Sequence, residues 1–209
     1  MIFTATNALA IILTKSTGGV ISLIVALFCM LWLMRKQIGS KSFLKFVLGM
    51  GGVFICFYLL NAGMVNRKIM SMFNPESGYV RVISIIQGIE VFRNHWVTGI
   101  GLGNSPYFII TQQIHNAYLS QAVETGILGI LGFLIFNIYI IRRLYHITNK
   151  SSSNEKYMSI ILLSTIIFFL IQWLSFYSIN IPTPWVVYSL SFVLFKLFKK
   201  NETKLGLRL

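Results

Sequence analysis

The chain has no aspartate at all, and its five acidic residues are all glutamate. Charged residues of either sign are only 11% of 209 positions, so a carboxylate-bound divalent metal has little to be built from. Cysteine is as scarce: Cys29 and Cys56 both lie inside apolar runs, which gives no support to a disulfide framework or a cysteine metal site. They read as small buried hydrophobes. Proline occurs four times, and the long segment 63–116 lacks the Ser, Pro and Lys richness of disorder.

Hydrophobic residues are what the chain has, at 56% with a mean hydropathy of +0.74, and that composition belongs to an all-α integral membrane protein. The net charge of +13 would suggest nucleic acid in a soluble chain. In a membrane chain positive charge marks the cytoplasmic side, and no nucleic-acid partner is expected. Against the ~20 residues needed to cross the hydrocarbon, apolar runs predict spans near residues 18–34, 44–62, 117–141, 158–177 and 184–198. A shorter run at 2–13 has no basic region before it and no A-x-A-like site after it, so it reads as a span clipped at its front rather than a signal peptide. The expectation is about five to six transmembrane helices in a single membrane domain over residues 1–209, ending in a helical hairpin at 158–198.

Basic residues gather in three places: Arg35, Lys36, Lys41 and Lys45; Arg142, Arg143, Lys150 and Lys156; and Lys196, Lys199, Lys200, Lys204 and Arg208. Assigned to the cytoplasm, they leave the "TKST" turn, the "SINIPTP" turn and the long segment 63–116 outside. The long loop carries most of the polar residues and is expected to fold against the membrane. Within it "VRVISIIQGIEVFRNHW" places Val82, Ile85, Ile86, Ile89, Phe92 and Trp96 on one arc of a helix, with Arg81, Ser84, Gly88 and His95 on an opposite strip. Such a helix is expected to lie in the interface plane, apolar arc buried and polar strip outward.

"TGIGLGNSPY" follows, and Gly99, Gly101 and Gly103 either let backbone N–H groups approach an anion or simply turn the chain between two helices. A membrane helix is then expected from about His115, with Gly126, Gly129 and Gly132 as small residues that let another helix approach. On a continuous helix His115 and Gly126 share a face three turns apart. Glu124 lies opposite and deeper, either a functional carboxylate or one that takes a hydrogen bond from a neighbouring span. Lys15 and Ser16 in the short outer turn are candidates for an anion site, and a lysine there equally suits lipid headgroups. His95, beside Trp96, is a second base or an interface anchor.

"HNAYLSQAVETGILG" resembles the O-antigen ligase and O-antigen polymerase family, whose members carry His, then Asn, Ser or Gln, nine residues, and Gly-x-x-Gly. The order Arg81, then "GIGLG", then His115–Asn116 is also similar to that family, and "LTKSTGG" resembles its Leu-Thr-x-Ser-Arg-Gly segment with Thr17 at the arginine position. The likeness covers about residues 10–145. It implies transfer or polymerisation of oligosaccharide units from a polyprenyl diphosphate carrier to a glycan acceptor, on the outer face of a bacterial cytoplasmic membrane. Ile130, where ligases often have Thr, favours polymerase over ligase. Members of the family are usually longer, so the resemblance implies a C-terminal portion, with a missing N-terminal half or other polysaccharide-assembly proteins as partners.

A glycosyl diphosphate donor is already activated, so the transfer needs an acceptor deprotonated and a leaving diphosphate neutralised. On the resemblance, His115 is the general base, with an ordinary pKa of about 6.5 suited to neutral pH. Arg81 and Arg93 bind the diphosphate through charge-assisted bonds. Asn116 orients the sugar or the imidazole, while Gly101, Gly103, Lys15, Ser16 and His95 complete the substrate site. No cofactor is needed. Two rivals stand beside this enzyme: a non-catalytic fragment or partner subunit, and a transporter fragment, for which two repeated halves with interrupted helices are wanting.

Overall fold

The computed structural model describes residues 17–39, 44–45, 48–49, 51–52, 63, 66, 75–110, 113–151, 154–176 and 181–204. The expected span at 2–13, most of the one at 44–62, and the candidates Lys15 and Ser16 lie outside the described residues. The described chain is helical, without strands: α1 (Thr17–Ile38), α2 (Pro75–Asn94), a single turn α3 (Ser105–Phe108), α4 (Ala117–Lys150), α5 (Asn154–Gln172) and α6 (Pro182–Lys204). Three of these, over Gly18–Arg35, Ala117–Lys150 and Asn154–Gln172, are long and apolar enough to cross a membrane. This is an all-α membrane protein. The expected span at 184–198 is helical within α6 but is not among the three, because Lys196, two serines and two prolines dilute its apolar run.

α1 packs on α5 through residues too small to keep the backbones apart. Ser22 and Ala26 are buried one turn after another, and a methyl added at Gly18 would sit 2.0 Å from Ser175 Oγ, just beyond α5. The other side of α1 presents Ile21, Ile24, Val25, Phe28 and Trp32, an apolar stripe suited to lipid. Arg35 folds back 3.7 Å over the Trp32 ring, a cation–π pair at the end of the apolar run.

The main core lies between α4, α5 and α6, where Phe133, Ile140, Leu144 and Ile147 meet Leu162, Leu163, Ile166, Tyr188, Leu194 and Phe195. Two polar pairs tie these helices inside it: Tyr188 donates to Asn137 Oδ1 at 2.5 Å, and the Thr148 and Ser159 hydroxyls meet at 2.8 Å. A smaller core of Ile109, Ile114 and Val123, with Val91, Phe92, Ile100 and Leu119, joins the segment 91–114 to the head of α4.

The strip of α2 expected to face outward is divided. Arg81 and His95 are exposed, while Ser84 and Gly88 are buried, and a methyl at Gly88 would lie 3.0 Å from Leu119 and 3.1 Å from Ile114 of the α4 head. The apolar arc of Val82, Ile85, Ile86 and Ile89 is left bare by the protein, the side that an interfacial helix turns to lipid. Small residues allow close protein contact and large ones meet hydrocarbon, the reverse of the pattern in water.

Candidate functional site

α4 begins at Ala117, so His115 stands two residues before the helix rather than within it. Asn116 is the N-cap: its side-chain oxygen accepts from Leu119 N–H at 3.0 Å, and its amide donates to Leu174 O at 3.3 Å. Ala117 N–H donates to Trp173 O at 2.9 Å, and the Tyr118 hydroxyl donates to Leu170 O at 2.7 Å. Ile114, on the other side, is buried in the smaller core. The imidazole is therefore carried on a backbone fixed before and after it.

His115 is half-buried, and burial lowers its pKa first, with the positive charge of Arg81 lowering it further. Arg81 shares a strip of α2 with Gly88, which abuts Ile114 and Leu119 on either side of His115, so its charge is near enough to act on the imidazole. Arg81 itself is exposed, so a ligand can reach the guanidinium beside the imidazole. A lowered pKa keeps the ring neutral at neutral pH, the form that accepts a proton. Arg93 is exposed in the last turn of α2, about 120° round the helix from Arg81. His95 is exposed just past the helix end, with Phe108 edge-on at 6.0 Å. Among the described residues no three His, Cys or Glu side chains come together to hold a metal.

The glycine-rich turn docks on α4 by its backbone. Gly126 breaks α4 with φ 67° and ψ −168°, a conformation essentially confined to glycine. In an unbroken helix Ile127 N–H would donate to Val123 O and Leu128 N–H to Glu124 O. Here Ile127 N–H donates to Trp96 O at 2.7 Å, Ile100 N–H to Val123 O at 3.0 Å, and Gly101 N–H to Glu124 O at 3.0 Å. The segment 96–101 thus takes over hydrogen bonds that the break releases. Ser105 Oγ adds a buried bond of 2.7 Å to Glu124 Oε1.

These facts correct the expected glycine face on three counts. Gly126 ends the regular helix, so the eleven-residue repeat does not connect it to His115. It contacts loop backbone rather than a helix, and a methyl on it would lie 2.2 Å from Val97 O. Among the described residues nothing lies near Gly132, and the nearest atoms to Gly129 belong to Thr125 of its own helix. Glu124 also moves: the long regular helix runs from Ile127 to Lys150, after the break, so Glu124 stands before it. Counting the ~20 residues of a span back from Arg142 reaches Ala122, which puts Glu124 near the boundary rather than mid-membrane. Its hydrogen bond comes from the loop, not from a neighbouring span.

Gly99, with φ 69°, passes so close that a methyl there would lie 2.4 Å from the carbonyl of Glu124 and 2.6 Å from Gly126 N. The N–H groups of Gly99, Ile100 and Gly101 are all spent on carbonyls, those of His95, Val123 and Glu124. Gly103, with φ 76°, is exposed with open space at its Cα.

Gly126→Ala is expected to cost about 1–3 kcal/mol from backbone strain alone, lowering the thermal midpoint of the detergent-purified chain by roughly 2–4 °C per kcal/mol. Gly132→Ala, which meets nothing among the described residues, should leave the midpoint unchanged or slightly raised. Equal losses at both positions would contradict the docking.

A family model described as O-antigen ligase matches residues 2–134. No curated protein matches the chain.

Proposed function

The chain belongs to the O-antigen ligase family, whose members are membrane enzymes of surface polysaccharide assembly, and on that premise we propose that it moves oligosaccharide units from a polyprenyl diphosphate carrier to a glycan acceptor at the outer membrane face. The observation that carries this is the fixed backbone that holds His115 between Ile114 and the Asn116 cap at the head of α4, within reach of the charge of Arg81.

His115 takes the proton from the acceptor hydroxyl as that oxygen attacks the anomeric carbon. The bond to the diphosphate breaks, and Arg81 neutralises the charge that develops on the leaving oxygens, with Arg93 as a further cation. Asn116, committed to the cap and to Leu174, orients the imidazole. Gly101 holds the turn, Gly103 leaves room at its exposed edge for the substrate, and His95 with Phe108 forms a flank of the site. Lys15 and Ser16 complete the diphosphate site in this reading. Ile130 favours polymerisation over ligation.

The test is made in cells lacking the gene and complemented with it or with the His115→Ala form. Lipid-linked repeat units should accumulate, and long surface polymer should be lost, in the mutant. Normal polymer from the mutant would remove His115 as the base. No change in surface polysaccharide on losing the gene would favour a non-catalytic partner subunit.

A further inference from the structure

Neither Glu124 nor Ser105 has a part in the chemistry above, yet the two make a buried side-chain bond between the external segment and α4. Both residues are buried, Glu124 at 8% and Ser105 at 7% exposure. The bond stands where three backbone bonds already join 96–101 to the break in α4, so the turn is held by backbone on one side and by side chains on the other. From Arg81 to Ile110 the external segment also closes on itself, because Ile110 N–H donates to Gln87 Oε1 at 3.2 Å, halfway along α2. What fixes the turn therefore fixes α2, and α2 carries Arg81.

We propose that Glu124 is a positioning residue for the transfer reaction: with Ser105 it latches the glycine turn into the break of α4 and so sets where α2 presents Arg81 beside His115. The reaction part rests on the reading given under the proposed function. The latch itself rests on geometry alone. Gly88 against Ile114 and Leu119 is the pivot along which α2 lies on α4, and the turn at Gly126 is the fastening at its end. With the side-chain bond lost, the pivot, Val91 and Phe92 in the smaller core and the backbone bonds still hold α2, but less tightly, and the guanidinium shifts with it.

The charged surroundings of His115 make the shift measurable. Arg81 is the charge that acts on it, Tyr118 one turn on is turned to Leu170 O, and the stretch Leu170–Phe176 that faces the head of α4 has no ionisable side chain. Displacing Arg81 therefore raises the titration midpoint of His115, whatever reaction the site performs.

The experiment follows carbethoxylation of the His115 peptide by diethyl pyrocarbonate against pH, on the detergent-purified full chain, with mass spectrometry separating it from His95 and His146. Glu124→Ala and Ser105→Ala should move the midpoint upward, toward that of Arg81→Gln, while Glu124→Gln, which keeps the acceptor oxygen, should match wild type. Transfer activity should fall about a hundredfold in Glu124→Ala, as small misplacements of catalytic groups do, and be rescued in Glu124→Gln. Should Arg81→Gln move the midpoint and both alanine variants leave it in place, the latch is overturned while the site stands. A glutamine variant that behaves as the alanine one also overturns it, since the hydrogen bond is then not what matters. Ser105→Ala leaves α4 intact, so a fold lost in Glu124→Ala does not hide the answer. If the midpoints shift as expected but His115→Ala keeps full activity, the latch holds and the proposed reaction fails.

Discussion

Purified enzyme carrying His115→Ala is expected to lose two to four orders of magnitude in the rate of oligosaccharide transfer, the contribution of a positioned general base. The fold should survive, because the contacts around position 115 are made by its neighbours: Asn116 through its cap, Ala117 through its backbone bond to Trp173, and Ile114 through the small core. The loss should appear in turnover with little change in donor binding, since the base acts on the acceptor. Wild type should also show an acid limb in its pH profile below the ordinary histidine value of 6.5, because the imidazole pKa is lowered. The sign follows from the role: a base works when unprotonated, so the rate is full above the lowered pKa and falls as pH drops through it. A rate that rose on acidification, or His115→Ala at wild-type speed, would exclude the base.

Arg81→Gln is expected to cost 10²- to 10³-fold, the usual loss when one fixed donor is taken from a developing oxyanion. It should also raise the acid limb, because removing a cation beside His115 relieves part of what holds its pKa down, burial remaining as the larger cause. Arg81→Lys separates the two effects. It keeps the charge and so should keep the acid limb near its wild-type position, but it loses the planar two-pronged grip on phosphate and should recover only part of the rate. Steady-state kinetics of both variants across pH 5 to 8 would check this. An unmoved limb in Arg81→Gln would mean that the guanidinium does not stand where it is placed.

The membrane class and the helix at 75–94 were legible in one dimension, because they rest on composition and on the helical period, and the family was legible in the spaced motif that opens at His115–Asn116. Two features were not. The left-handed break at Gly126 is invisible to periodicity, since Gly126-Ile-Leu-Gly129 has the same spacing as a helix-packing motif, and only the partner backbone at Trp96 to Gly101 distinguishes them. Glu124 and Ser105 stand 19 positions apart, joined by no pattern, so no reading along the chain pairs them. Ser84 and Gly88 belong to the strip of α2 expected to face outward and are buried for a physical reason: they count as polar or neutral in water, but at a helix contact their small size is what matters.

The seat of the imidazole extends beyond the matched region. The family match ends at residue 134, yet the carbonyls that hold Asn116, Ala117 and Tyr118 belong to Leu174, Trp173 and Leu170. Trp173 is almost wholly buried, and Gly18 at the start of α1 abuts Ser175 in the same turn. A chimera that exchanged everything after Lys150 for another membrane hairpin would keep every motif residue and still unseat His115. Grafts or minimal versions should therefore carry that turn, and with it α6, whose Tyr188 and Phe195 complete the core against α4, rather than stop where the recognisable motifs do.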